Sequence, residues 1–190
     1  MMRSMFLREA SSSSFFTAAA APGVNVDRII IDLRGSIGGA MPDAAPVAAL
    51  FVDKGPIATV ISRKAPEKPL EAAGPAVWKG RVVLLVDDST AGPAEVFAAA
   101  LHDRAGAKTV GDTTVGMAII QRNVPTEEGG SLFMTVGRYV SPSGQVLGGK
   151  GLTPDERVLV LPGETGDRDL ILERGLEIVR STDAPARKAA

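Results

Sequence analysis

The sequence contains no cysteine and only one histidine, His102, and these two deficits limit its chemistry. Without cysteine, the chain has no disulfide, no thiolate nucleophile and no zinc–thiolate site, although it fits any redox compartment. A single histidine also excludes a metal site built from several imidazoles. We therefore expect no metal and no other cofactor.

Excess charge and long apolar runs are lacking as well. The formal net charge is −1, and the lysines and arginines are scattered, so we expect no nucleic-acid partner. No apolar run approaches the roughly 20 residues that cross a bilayer, so we expect no transmembrane segment. The 190 residues, 45% of them hydrophobic, are ordinary for a globular protein with one real core.

The two ends of the chain differ from its middle. Residues 1–25 have early arginines and an Ala-x-Ala-like end, as a secretory signal does, but Arg8, Glu9 and four serines interrupt the apolar stretch. We expect this leader to be poorly ordered or a degenerate signal. The main domain is predicted to span residues 26–180, and residues 181–190 are expected to form a polar tail.

Apolar runs predict the strands. Uninterrupted runs at 26–33 and 81–88 are typical of strands covered on both faces, as in a parallel sheet between helices. Further strands are predicted at 56–62 and 107–111, with a pair at 116–125 and 129–140 joined by a turn. Residues 64–78 are rich in proline and predict a loop outside the core.

Helices are predicted at 42–52, 93–104 and 168–180. Strands that alternate with helices predict an α/β layered domain. Two strand–turn–helix corners stand out, at residues 29–45 and 82–101. Such corners usually hold the ligands of α/β sheets, because glycines admit a close approach and a helix start offers unpaired N–H groups.

Five motifs occur in a recognisable order: DLRGSIGG (32–39), STAGPAEVFAAALHD (89–103), VGDTTVGM (110–117), RYVSPSG (138–144) and GKGLTPD (149–155). In this order and spacing they resemble the protease domain of the carboxyl-terminal processing, or tail-specific, proteases, which are serine–lysine peptidases. The resemblance covers roughly residues 26–180. It implies a crotonase/ClpP-like fold with a layered β-β-α domain.

The resemblance carries further expectations. The family usually has a PDZ domain before this region, and we expect it to be absent from this chain, because only about 25 residues precede the first predicted strand. Unstructured peptide or protein tails are the implied partners, and a homo-oligomer is left open. The family suggests the bacterial periplasm or an extracellular location, which the leader does not confirm.

The reactive residues of the family are replaced here. Its nucleophilic serine lies three residues before Glu95, and its lysine base lies 25 residues further on, which gives Gly92 and Met117. Glycine has no side chain, and methionine accepts no proton at any useful pH. Pro93 has no N–H for an oxyanion, a donor that typically contributes about 3–4 kcal/mol. We therefore expect catalysis to be impaired.

Supporting residues of the family motif are retained. Gln121 lies where the family has a glutamine that orients the base, and Glu95 is also present. Gly38 and Gly39 belong to the turn that directs backbone N–H groups into the oxyanion or peptide-binding pocket. Met117 is expected to fill that pocket with a flexible apolar side chain.

The favoured hypothesis is an impaired homologue that acts as a peptide-binding or structural domain. The sequence leaves two other functions open. One is an active serine-type peptidase with a relocated nucleophile, Ser89 or Thr90, or with residues from a partner chain. Lys108 and Lys150 are the nearest amines by motif, and both are expected to point to solvent. Another is a truncated gene product that matters only for assembly.

Five further residues have structural interpretations. Asp32 and Arg34 are expected to hold their turn through hydrogen bonds. His102 is expected to be a solvated surface histidine. Trp78 and Tyr139 are expected to pack in the core.

Overall fold

The structure of the protein is a computed structural model, which describes residues 6–7, 26–62, 68–127, 129–160 and 168–181. Only Phe6 and Leu7 of the predicted leader are described, so the expectation for residues 1–25 otherwise lies outside the described residues. Of the predicted polar tail, only Ser181 is described.

Nine strands and three α-helices make up the described part of the chain. The strands are β1 (Phe6–Leu7), β2 (Arg28–Asp32), β3 (Gly55–Ser62), β4 (Leu70–Ala72), β5 (Arg81–Val86), β6 (Lys108–Gly111), β7 (Ile119–Pro125), β8 (Ser131–Val140) and β9 (Glu156–Arg157). The helices are α1 (Ala44–Ala48), α2 (Pro93–Ala100) and α3 (Leu170–Arg180). A 3-10 turn, Met41–Asp43, leads into α1, and a π turn, Leu101–Ala105, follows α2.

Five strands form a parallel sheet in the order β1-β2-β5-β6-β9. Ile30 of β2 lies beside Val83 of β5, which in turn lies beside Lys108 of β6. The edge strands β1 and β9 contribute two residues each. A run of two residues is too short to show a hydrophobic period, so the sequence pattern predicts neither edge.

Both faces of the parallel sheet are buried, as the uninterrupted apolar runs predict. On β5, Val82, Leu84 and Val86 point into the main core, which α1, α2 and β3 complete. The residues between them, Val83 and Leu85, point to the opposite face and pack with α3. The parallel sheet is thus the middle layer of the domain.

Four strands form a separate antiparallel sheet in the order β4-β3-β8-β7. The predicted pair, β7 and β8, is confirmed as a hairpin, whose turn is closed by the N–H of Thr126 donating to the Gly130 carbonyl at 2.9 Å. The outer half of the hairpin exposes large apolar side chains, among them Leu132, Phe133 and Met134.

The prediction of a loop outside the core for residues 64–78 is wrong in part. Leu70–Ala72 forms β4, which pairs with β3. Ala72 and Trp78 are buried, at 2% and 7% exposed, and Trp78 thereby packs as expected. Residues 63–67 lie outside the described residues. Three strand residues between prolines are too few to distinguish from a loop.

α3 is fixed at both of its ends. At the start, Asp169 Oδ1 accepts the N–H of Leu172 at 3.0 Å, which satisfies one of the free donors of the first turn. At the other end, Arg28 and Arg81 each donate to the carbonyl of Val179 at 3.3 Å. Cations stabilise the negative end of a helix dipole, so these two strand residues anchor α3 to the sheet.

Candidate active site

The segments that follow β2, β5 and β6 meet around Gly92, and we call this surface the candidate site. The N–H of Ala91 donates to the Ser36 carbonyl at 2.8 Å, which joins the first two segments. The N–H of Val115 donates to the Thr90 carbonyl at 3.0 Å, which joins the second to the third. The carboxyl ends of parallel strands are the usual ligand sites of α/β sheets.

Gly92 is the residue before α2 and has φ 63° and ψ −120°. A residue with a side chain adopts such a conformation only at a cost of roughly 1–3 kcal/mol, whereas glycine adopts it readily. A Cβ atom built on Gly92 lies 3.8 Å from Met41 Cε and 4.0 Å from the carbonyl oxygen of Met117. These are ordinary contact distances, so there is room for a small side chain.

Glu95 connects the start of α2 to the segment after β6. Its side chain is fully buried and accepts the N–H of Gly92 at 2.9 Å. It also accepts the hydroxyl of Thr114 at 2.5 Å and the N–H of Gly116 at 2.6 Å. Thr114 in turn accepts the N–H of Leu152 at 2.8 Å. The sequence motif contains Thr114, but only the structure shows that it bonds to Glu95.

The turn after β2 offers free backbone donors beside α2. The N–H groups of Ile37, Gly38 and Gly39 donate to no group among the residues that the structure describes, and all three residues are exposed. Gly39 has φ 106°, and a Cβ atom there would lie 3.6 Å from Pro93 Cγ. Pro93 itself has no N–H to contribute.

Met117 does not fill a pocket as expected. Its side chain is 45% exposed, although its carbonyl oxygen lies close to Gly92. Gln121 lies four residues further on, in β7 opposite Thr135, and is exposed. Within the described ranges, no hydrogen bond joins Gln121 to Met117 or Gly92. The sequence alone could not fix the direction of an unbranched side chain in a connecting segment.

The rim of the candidate site is apolar. Ile37 on the turn after β2 is 76% exposed, and Val115 and Met117 on the segment after β6 are each 45% exposed. Met41 is partly buried and lies between these segments and the core. Single exposed apolar residues are common, but several on neighbouring segments indicate a contact surface.

The hydroxyl of Thr90 forms hydrogen bonds within the protein. Thr90 is fully buried, and its Oγ1 accepts the N–H of Asp87 at 3.0 Å. The same oxygen lies at donor distance from the carboxylate of Asp87, 2.9 Å, and from the Leu33 carbonyl, 3.0 Å. Ser89 is exposed, and its Oγ lies 3.4 Å from Asp88.

In the described part of the chain, neither Lys108 nor Lys150 forms a hydrogen bond with the hydroxyl of Ser89 or Thr90. Lys108 does not simply point to solvent, because its Nζ donates to Asp155 Oδ1 at 3.0 Å. Lys150 is exposed, as expected.

The turn after β2 is held as predicted. Arg34 donates to Asp32 at 2.9 and 2.7 Å. It also donates to both carboxylate oxygens of Asp169, at 2.8 Å each. The hydrogen bond from Arg34 lowers the pKa of Asp169, so the carboxylate that caps α3 stays ionised. The sequence predicts the Asp32 contact but not the partner 135 residues away.

The expectation of a solvated surface histidine is wrong for His102. Its ring is only 38% exposed and lies between two carboxylates, with Nδ1 3.0 Å from Asp103 Oδ1 and Nε2 3.4 Å from Asp155 Oδ1. The hydrogen bond with Asp155, assisted by Asp103, raises the pKa of His102 to about 9. The acid partner 53 residues away was not predicted from the sequence, because nothing local marks it.

Two further properties bear on function. Across the described residues, no group of three or more His, Asp or Glu side chains is placed to hold a metal ion. In the same part of the chain, no helix has the length and apolar character needed to span a bilayer.

Comparison with known proteins gives one family match. A family model described as "Peptidase family S41" matches residues 4–158. Carboxy-terminal processing protease CtpA of Bacillus subtilis (strain 168) is 33% identical over 126 residues, which cover 66% of this chain and 27% of that protein. The chloroplastic carboxyl-terminal-processing peptidase 1 of Arabidopsis thaliana is 30% identical over 141 residues, which cover 73% of this chain and 29% of that protein.

A solved structure shows the same fold. The photosystem II D1 C-terminal processing protease is 28% identical and superimposes with a TM-score of 0.68, covering 93% of this chain and 44% of that one. Mature CPAF, at 11% identity and a TM-score of 0.62, shares the fold. This chain therefore spans less than half of the solved protease, and 27–29% of the two curated relatives.

Proposed function

Because this chain belongs to peptidase family S41, we propose that it binds extended peptide segments at the candidate site without hydrolysing them. The observation that carries the proposal is at Gly92, which has no side chain where the family resemblance assigns the nucleophilic serine. Met117 likewise has no amine where the resemblance assigns the base. Acyl transfer by a serine–lysine pair requires both an attacking oxygen and a group that takes its proton.

A third change supports the loss of turnover. Pro93 follows the nucleophile position, where a backbone N–H commonly stabilises an oxyanion, and proline has none. The N–H groups of Gly38 and Gly39, in the turn that approaches Pro93, have no acceptor among the described residues and still offer donors. Donors without a nucleophile bind a peptide carbonyl but do not start its hydrolysis.

The remaining surface fits a peptide. An extended peptide presents backbone carbonyls at regular intervals, and the unpaired N–H groups of Ile37, Gly38 and Gly39 are donors for them. Its side chains alternate in direction, so one of them can be buried against Val115 and Met117. Neither of these side chains is charged, so an apolar ligand side chain is favoured over a charged one.

Among the described residues, no contact supports a relocated nucleophile. The hydroxyl of Thr90 is buried and bonded within its own turn. Ser89 has a carboxylate, and not an amine, beside its hydroxyl. A carboxylate at 3.4 Å without an imidazole or amine is a poor activating arrangement for an alcohol.

Binding to an array of unstructured casein-derived peptides tests the proposal. We expect peptides with a large apolar residue to bind the wild-type protein and to be released intact, as judged by fluorescence anisotropy and mass spectrometry. Met117→Glu should weaken binding about tenfold or more, since it places a charge against an apolar side chain. Met134→Glu is the matched control, because Met134 is similarly exposed, at 47%, but lies on the β7–β8 hairpin.

Two results would contradict the proposal. One is the absence of binding by every peptide in the array. The other is equal weakening by Met117→Glu and Met134→Glu, which would place the binding surface away from the candidate site.

A further inference from the structure

His102 lies at the far end of the helix that begins beside Gly92. It belongs to the π turn that follows α2, so its backbone is continuous with the candidate site. Its ring stands between Asp103 of the same turn and Asp155 of the segment before β9. The side chain of Lys108 on β6 also reaches Asp155, so among the described residues the hydrogen-bonded charged groups at the ring are two carboxylates and, through Asp155, one amine.

The two ring contacts require a doubly protonated imidazole. Both partners are carboxylate oxygens, which only accept hydrogen bonds when ionised, and a neutral imidazole has a single N–H. In the neutral ring, one nitrogen lone pair would therefore face a carboxylate oxygen. The geometry favours the imidazolium form of His102, and a pKa raised to about 9 by the Asp155 hydrogen bond agrees with it.

The segment that ends at Asp155 contacts the candidate site. Asp155 ends a short segment in which Leu152 donates its N–H to Thr114, the hydroxyl that Glu95 accepts. At the start of the segment, a Cβ atom on Gly151 would overlap the carbonyl of Thr114, so the two backbones are in close contact. Residues 151–155 are therefore in direct contact with Thr114, which is a hydrogen-bond partner of Glu95.

We propose that the protonation state of His102 sets how tightly residues 151–155 pack against Thr114, so that one imidazole controls the shape of the candidate site. When the ring loses a proton, the longer contact, from Nε2 to Asp155, is the one that is lost. Asp155 still accepts from Thr109 N at 2.9 Å, Thr109 Oγ1 at 3.0 Å and Lys108 at 3.0 Å. The segment consequently loosens without detaching. This coupling goes beyond peptide binding and does not depend on it.

Nuclear magnetic resonance of the free protein tests the proposal, because the chain has a single histidine whose ring signals need no assignment. Leucine and methionine methyl groups labelled with ¹³C report on the site at alkaline pH, where amide protons exchange too fast. From below pH 6.5 to above pH 9, we expect the ring to titrate near its raised pKa. The Leu152 methyl signals should move with the same midpoint, and those of exposed Leu132 should not.

Two substitutions distinguish the effect of the charge of His102 on the Leu152 signals from the effect of its packing. His102→Arg keeps a positive charge through the whole range, so the Leu152 signals should become independent of pH. His102→Gln is neutral, so its Leu152 signals at neutral pH should resemble those of the wild-type protein at high pH. A ring midpoint at or below 6.5 would overturn the assignment of the imidazolium. A raised midpoint with unmoved Leu152 signals would overturn the coupling, and the wild-type titration decides both even if a variant fails to fold.

Discussion

The buried carboxylate of Glu95 accepts the backbone N–H of Gly92 at 2.9 Å, and the same carboxylate accepts the hydroxyl of Thr114. One side chain thus holds the backbone of Gly92 and the segment that leads to Met117. This hydrogen-bond network is formed although Gly92 has no hydroxyl and Met117 has no amine.

Removal of the Glu95 carboxylate should destabilise the fold strongly. Glu95→Ala leaves three buried donors without an acceptor, and we expect a loss of about 4 kcal/mol or more in the free energy of unfolding. Glu95→Gln keeps one carbonyl oxygen but turns an NH₂ group towards a donor, so a loss of about 1–3 kcal/mol is expected. Urea unfolding followed by Trp78 fluorescence measures both.

Glu71→Gln is the control for these variants, because Glu71 is exposed on β4. It should change stability by no more than about 0.5 kcal/mol. Equal stability of Glu95→Gln and the wild-type protein would show that the three contacts of Glu95 contribute little.

A serine at position 92 should destabilise the protein even though it fits. Gly92 has φ 63°, and a side chain there costs about 1–3 kcal/mol of backbone strain, so the melting temperature of Gly92→Ser should fall. Gly74→Ser is the matched control, since Gly74 has an ordinary φ and no atom within 4 Å of a built Cβ. If both variants melt at the wild-type temperature, the conformation of Gly92 is not strained for other residues.

Stability should depend on pH through His102. Its pKa is raised from 6.5 to about 9 by the hydrogen bond with Asp155, so its contribution is complete below pH 6.5 and is lost as the pH rises through 9. The ring is 38% exposed, so solvent screening reduces this contribution to about 1–2 kcal/mol.

The difference in unfolding free energy between wild type and His102→Gln, measured by urea titration at several pH values, reports this contribution. It should be largest below pH 6.5, decrease as the pH rises towards 9, and be nearly absent above pH 9. A difference that stays constant across the range would mean that the ring contributes by packing alone.

Much of the fold follows from local pattern. The apolar runs around Ile30 and Val83 predict strands buried on both faces, and the turn before Ser131 predicts a hairpin, because each signal lies within a few consecutive residues. The strand at Leu70–Ala72 and the strand at Glu156–Arg157 were not predicted, because two or three residues carry no readable period.

Motif spacing predicts that Gly92, Glu95 and Met117 lie near one another, but it does not predict the directions of their side chains. In the structure, a Cβ atom built on Gly92 lies 4.0 Å from the carbonyl oxygen of Met117. The exposure of Met117 and the charged partners of His102 depend on segments distant in sequence. No local rule relates position 102 to position 155, so only the folded chain shows that contact.

We propose that turnover is absent because position 92 has no hydroxyl and position 117 has no amine. Casein hydrolysis, with labelling by a fluorophosphonate probe read by intact mass, tests it most directly when the wild-type protein is compared with the combined variant Gly92→Ser, Met117→Lys, Pro93→Ala. We expect no cleavage and no adduct with the wild-type protein, and measurable cleavage with an adduct at position 92 in the variant. Robust cleavage by the wild-type protein would contradict the proposal, and its persistence in Ser89→Ala and Thr90→Ala would also exclude a relocated nucleophile at those positions.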